Sequence, residues 1–171
     1  MTHHLEFEDW VAFPIEQVFL FFANPENLPR IMPPEAGTRI EALRLVAPLS
    51  LLGVSHSGPL AGVGSEIDTS FLVVRGLPFR AKWTARITEF EWNHHFGDIQ
   101  EKGPFGSWHH RHEFAAEARN GVDGTVVRDR IDYSVGFGII GDIGQKLFVD
   151  RQLRQTFQRR QRALPGLLSA T

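Results

Sequence analysis

Hydrophobic and polar positions alternate with period two along most of the chain and switch to helical spacing only towards its two ends. Leu5, Phe7 and Asp9 alternate with Glu6, Glu8 and Trp10, which predicts a first strand. Pro14 then opens a short amphipathic helix through Ala23, because Ile15, Val18, Phe19 and Phe22 recur on one face. Asn24 is placed to cap a second short helix from Pro25 to Arg30, and Pro33-Pro34 ends it. Thr38 to Val46 reads as a strand. Ala47 to Val63 is a long irregular connection rich in Gly, Pro and Ser, of a length often used as a lid, with His56 expected in solvent. Gly64 to Val74 is the next strand, with Ile67, Thr69, Phe71 and Val73 inward, and Leu77-Pro78 marks a turn. Phe79 to Glu91 follows, with Ala81, Trp83, Ala85 and Ile87 inward and Lys82, Thr84, Arg86 and Thr88 outward.

The stretch Phe96 to Phe114, FGDIQEKGPFGSWHHRHEF, carries the most informative pattern. Gly103-Pro104 and Gly106 punctuate a turn between two strands. If Gln100 sits opposite Trp108, then Asp98 faces His110 and Phe96 faces His112. One surface then holds large aromatic rings interleaved with a carboxylate, an amide and two imidazoles, a composition suited to a ligand-cavity wall. His109, Arg111 and Glu113 fall on the other, solvated face.

Asn120-Gly121 and Asp123-Gly124 predict a turn, and Thr125 to Ser134 a last strand with Val127, Asp129, Ile131 and Tyr133 inward. Asp129 is thereby a carboxylate among apolar neighbours. Glycines at 136, 138, 141 and 144 precede a long helix from Ile143 to Leu164, whose buried stripe is Val149, Leu153, Phe157 and Leu164. Lys146, Arg151, Arg154, Arg159, Arg160 and Arg162 are assigned to its solvated face, and Pro165-Gly166 to its end.

Composition adds limits. At 171 residues with 42% hydrophobic and 22% charged residues, a single domain over residues 1–171 is expected. A net charge of −2 gives no pull towards nucleic acid. No cysteine is present, which removes disulfides, thiolate metal sites and thiol nucleophiles together. The first ten residues lack the features of a secretion signal, and the most apolar stretch, Val46 to Val54, is far short of the ~20 residues a spanning helix needs. The expectation is a cytoplasmic protein without membrane insertion. Nothing in the sequence speaks to oligomeric state.

A strand, two short helices, six strands and one long C-terminal helix make an order that resembles the START-like, or Bet v 1-like (SRPBCC), helix-grip superfamily. The residues that carry the resemblance are FPIEQVFLFFANPENLPRIMPP, the FGDIQEKGPFGSWHHRHEF hairpin, GTVVRDRIDYSVGFG and the terminal helix. They are most similar to the bacterial ligand-binding branch related to polyketide cyclase/dehydrase domains. The resemblance implies an α+β fold in which a curved six- to seven-stranded antiparallel sheet wraps the last helix and encloses a cavity. Its members include lipid carriers, hormone receptors and cyclases, so fold alone does not name a function.

The function expected is binding of a small hydrophobic ligand (a lipid, polyketide or aromatic molecule). The expected wall is Phe71, Trp83, Phe96, Trp108, Phe114, Ile131 and Tyr133, with Asp98, Gln100, His110, His112 and Asp129 as polar orienters. The alternative is a cofactor-free cyclase or dehydratase in which His110, or else His112, does acid–base work with Asp98 or Asp129. Mutual satisfaction of these groups in a buried network, in an interaction protein without a ligand, is a third reading. His110-x-His112 also has metal-ligand spacing, with Asp98 or Asp129 available as a third ligand. Without a thiolate or a third histidine, no metal and no other cofactor is assigned. The glycine run at 136–144 matches neither a P-loop nor a dinucleotide fingerprint, and no serine sits in a nucleophile elbow.

Overall fold

The computed structural model describes residues 1–51, 56–72, 79–135 and 142–170, with side chains of the last segment described from 149 onward. Among the described residues, seven strands form one antiparallel sheet: β1 (Thr2–Val11), β2 (Arg39–Arg44), β3 (Glu66–Leu72), β4 (Arg80–Glu91), β5 (His95–Lys102), β6 (Phe105–Ala116) and β7 (Thr125–Val135). Their spatial order is β1-β7-β6-β5-β4-β3-β2. Apart from the jump from β1 to β2, each strand pairs with its successor, and β7 closes back onto β1. Between β1 and β2 lie α1 (Ile15–Ala23) and a 3-10 turn, Pro25–Asn27, that runs into α2 (Leu28–Ile31). The Asn24 side chain accepts from the Glu26 backbone N–H, the expected cap.

Of the three apolar clusters among the described residues, two meet the last helix; the third, Ala61, Ile67 and Ile87, lies at β3 and β4. In the first, α1 inserts Val18 and Phe19, both fully buried, against Phe96, Phe114, Val127 and the end of the last helix. In the second, Leu5, Trp108, Ile131 and Tyr133 surround Phe157, with Trp83 and Phe105 at the margin. The last helix, α3 (Asp142–Leu168), bridges both clusters. Phe157 stacks on Phe7 of β1 with ring centroids 4.5 Å apart, and the Tyr133 hydroxyl donates to Asp150.

Local chemistry explains the turns. Asn120 and Gly121 both have positive φ, 52° and 77°, and the Arg119 and Val122 backbones exchange hydrogen bonds, giving a two-residue hairpin tip. Gly124 does not take part in that turn. It lies beneath the Trp10 indole, where an added Cβ would come within 2.4 Å of the ring. A bulge in β4 between Ile87 and Glu89 resets the alternation, so that Phe90 instead of Glu89 pairs with Phe96.

Two expectations need correction. Pro165 does not end the last helix, which continues to Leu168 because Leu164 and Leu168 are buried in the first cluster and the Gln17 amide donates to the Leu168 carbonyl. The proline costs one helical hydrogen bond, and packing of the final turn outweighs it. Arg160 is not on the solvated face: it is 6% exposed and points into the sheet. The long connection after β2 is as irregular as expected where it is described, and its far end is anchored: Leu60 and Ala61 are buried and the Ala61 N–H donates to the Ala23 carbonyl. The expected inward Val73, the Leu77-Pro78 turn, and the glycines at 136, 138 and 141 lie outside the described residues.

Candidate functional site

The β5–β6 hairpin has the register expected: Phe96 pairs with His112 and Asp98 with His110. Because alternate residues share a face, Asp98, His110 and His112 all point to the concave side, and β7 brings Asp129 opposite His112. Their side chains are 14%, 10%, 9% and 3% exposed, respectively. They form a polar corner between the two apolar clusters. His112 packs on Phe96 (centroids 4.4 Å apart), and His110 meets Phe157 edge-on at 5.5 Å.

Asp129 organises the corner. Its Oδ2 accepts from the Arg160 guanidinium, which α3 delivers from the opposite side. Its Oδ1 lies 2.9 Å from His110 Nε2 in hydrogen-bond geometry. Paired with Arg160, Asp129 serves as an acceptor, so His110 presents Nε2–H to it and keeps its lone pair on Nδ1. That Nδ1 looks towards Asp98 Oδ2, 3.8 Å away. His112 Nδ1 comes within 2.7 Å of Asp129 Oδ1 but out of line, and it is a buried nitrogen without a hydrogen-bond partner.

Burial sets the electrostatics. It pushes the Asp98 carboxyl up, with His110, His109 and the Trp108 indole working against the shift. It pulls His110 well down, helped by His112 and opposed by Asp98. His112 is also held well down, by burial and then by the Arg160 charge. Arg160 itself is lowered to about 9 by burial, with the field of Asp9 opposing, and stays charged at neutral pH. Two neutral imidazoles beside a clamped carboxylate are the resulting state.

The other candidate residues divide by place. Trp83, Trp108 and Phe105 form an aromatic group, Trp83 meeting Trp108 edge-on at 5.0 Å and Phe105 at 5.6 Å. Phe71 joins it through Trp83 at 6.3 Å. Phe71, Trp83 and Phe105 are only half-buried, whereas Ile131 and Tyr133 are fully buried beneath α3. Phe96 and Phe114 belong instead to the cluster under α1. Gln100 spends its amide on its own hairpin: Nε2 donates to the Phe105 carbonyl at 2.9 Å, and Oε1 accepts from the Phe105 N–H.

Sequence reasoning missed Arg160, although the signal was there. Phe157, Arg160 and Leu164 follow the i, i+3, i+7 spacing of a buried stripe. On the outward face, Arg128 and Arg130 pair with Glu6, Glu8 and Glu113, an ionic lattice beside a depression of about 400 Å³. No described helix is long and apolar enough to cross a membrane.

Residues 11–162 match the family described as polyketide cyclase / dehydrase and lipid transport. The chain belongs to this family. No curated protein matches it. Among solved structures, a protein from Thermus thermophilus is 17% identical with a TM-score of 0.65, and 98% of each chain is covered. A START superfamily protein from Mycobacterium smegmatis is 16% identical with a TM-score of 0.62, again over 98% of each chain. Ara h 8.0201 is 14% identical with a TM-score of 0.61 over the whole of both chains. At these identities the likeness establishes the START/Bet v 1-like helix-grip fold and no more. Family and fold together point to hydrophobic ligand binding or cyclase-like activity.

Proposed function

We propose that the protein binds a small, largely apolar molecule on the concave face of its sheet. The molecule's body lies against Phe71, Trp83, Phe105 and Trp108, and its polar end meets Asp98 and His110. One observation carries this reading: half-buried aromatic rings stand beside a polar corner in which His110 Nδ1 and Asp98 face each other without a protein hydrogen bond between them. Large apolar side chains left partly open, next to a few oriented polar groups, are what a ligand site requires. Ile131, Tyr133, Phe96 and Phe114 support the wall from beneath; Gln100 and His112 act on its shape.

A second reading is proton transfer on a bound ketide-like substrate. It is favoured by the His110–Asp129 hydrogen bond, which fixes the tautomer and leaves Nδ1 able to take a proton. Calorimetric titration with fatty acids, sterols and aromatic polyketides tests both readings. Binding is expected to weaken at least tenfold in Trp83→Ala and in His110→Gln. Chromatography of the same mixtures decides turnover: a new product formed by the parent and lost in His110→Gln establishes the second reading. Equal affinity of the parent and both variants contradicts the first.

A further inference from the structure

We propose that Asp98, His110 and His112 form a binding site for a divalent transition-metal ion. Each offers one ligand atom, and the three atoms all lie within 4.8 Å of one another. In a tetrahedral site with bonds of about 2.0–2.1 Å, ligand atoms stand about 3.4 Å apart. The 3.8 Å between Asp98 Oδ2 and His110 Nδ1 is already close to that span. The three residues come from two adjacent paired strands, so their spacing is set by backbone register and not by a loop.

Hydrogen bonding supplies independent support. Asp129 accepts from His110 Nε2, which leaves the Nδ1 lone pair facing the Asp98 carboxylate: two acceptors confront each other with a gap between them. A metal-bound histidine characteristically donates its other N–H to a carboxylate, the role Asp129 fills here. His112 is buried with a Nδ1 that makes no hydrogen bond, lying 2.7 Å from Asp129 Oδ1 but out of line, so its ring is held in the corner by packing and not by a hydrogen bond. Arg160 occupies the far oxygen of Asp129 and balances its charge, so Asp98 remains as the negative ligand for a dication. Two imidazoles and one carboxylate favour Zn²⁺, Fe²⁺ or Co²⁺ over Mg²⁺ or Ca²⁺, and three protein ligands leave at least one position open. The site goes beyond the ligand reading and does not depend on an apolar molecule being bound.

The test is titration of chelator-treated protein with Co²⁺ and Zn²⁺, carried out in a His3→Gln/His4→Gln background so that the N-terminal histidines do not contribute. The expected result is one equivalent per chain, a visible Co²⁺ d–d spectrum bleached by Zn²⁺, and a Kd in the micromolar range or tighter. Asp98→Asn and His112→Gln should each weaken binding at least 100-fold, and Asp129→Asn about 10- to 100-fold. The exposed His94→Gln should change nothing. Circular dichroism confirms that each variant is folded, and the background protein alone already decides if a variant is not. No d–d spectrum in the background protein, or an unchanged one in folded Asp98→Asn and His112→Gln, overturns the proposal. Titrating fatty acid into the chelated protein scores the ligand reading separately.

Discussion

Replacing Arg160 by methionine removes the cation that holds Asp129 while keeping most of the unbranched stem packed between Phe157 and Phe22. Both partners are almost wholly buried, at 6% and 2% exposure. Breaking one side of a buried pair leaves an uncompensated carboxylate and costs about 3–5 kcal/mol. The guanidinium also lies 4.4 Å from the Phe157 ring centroid and 5.2 Å from that of Phe22, contacts worth about 0.5–2 kcal/mol together. His110 at Oδ1 offsets part of the loss, so the net expectation is about 3–4 kcal/mol. With a urea slope of about 2 kcal/mol/M, the unfolding midpoint falls by about 1.5–2 M. Arg160→Met/Asp129→Asn should recover much of this, with a coupling energy of at least about 2 kcal/mol in the double-mutant cycle. A single-variant loss of about 0.5 kcal/mol or less, the value for a solvated arginine, together with negligible coupling, would refute the claim that Arg160 and Asp129 tie α3 to the sheet.

Gly124→Ala should cost about 1–3 kcal/mol, because the new methyl meets the Trp10 ring at 2.4 Å and the Val11 carbonyl at 2.6 Å, and a thermal melt reads it directly. Tyr133→Phe removes the hydroxyl that donates to Asp150 from within the second cluster; a loss of about 1–2 kcal/mol in denaturant unfolding is expected, and an unchanged midpoint would mean the helix does not rely on that bond. Asp68 is held below the usual carboxylate range by hydrogen bonds from Arg44 and Thr84, so its contribution is present above the unfolded value of about 4 and disappears as pH falls through the lower folded value. The melting temperatures of the parent and Asp68→Asn should therefore differ slightly at pH 7 and converge once the pH has fallen through the lowered folded value; a gap that persists undiminished in acid contradicts this.

The central hairpin was legible because its turn glycines and its strict alternation fix register and facing together, and Asp98–His110 and Phe96–His112 follow from that alone. Asp129 was legible for the same reason. What lay out of reach was the spending of Gln100 on the Phe105 backbone: it depends on the close approach of Gly103, where an added Cβ would stand 2.2 Å from Gln100 Oε1. The β4 bulge, which hands the inward position to Phe90, leaves no mark in a two-residue period. Arg160 shows a different kind of failure. Its helical phase puts it on the buried stripe, its charge argues for solvent, and the carboxylate that makes its burial tolerable lies 31 residues away in sequence. Pro165 is a local helix breaker by sequence, whereas the burial of Leu164 and Leu168, which anchors the turns on either side of it, is a tertiary effect.

Native mass spectrometry of the purified chain, followed by solvent extraction and identification of whatever is released, tests the ligand reading most directly. A co-purifying or readily loaded apolar molecule of a few hundred daltons (about the mass a drug-sized pocket holds) is expected, retained by the parent and lost from folded Trp83→Ala. The bare chain mass alone, before and after incubation with fatty acids, sterols and aromatic polyketides, would contradict it.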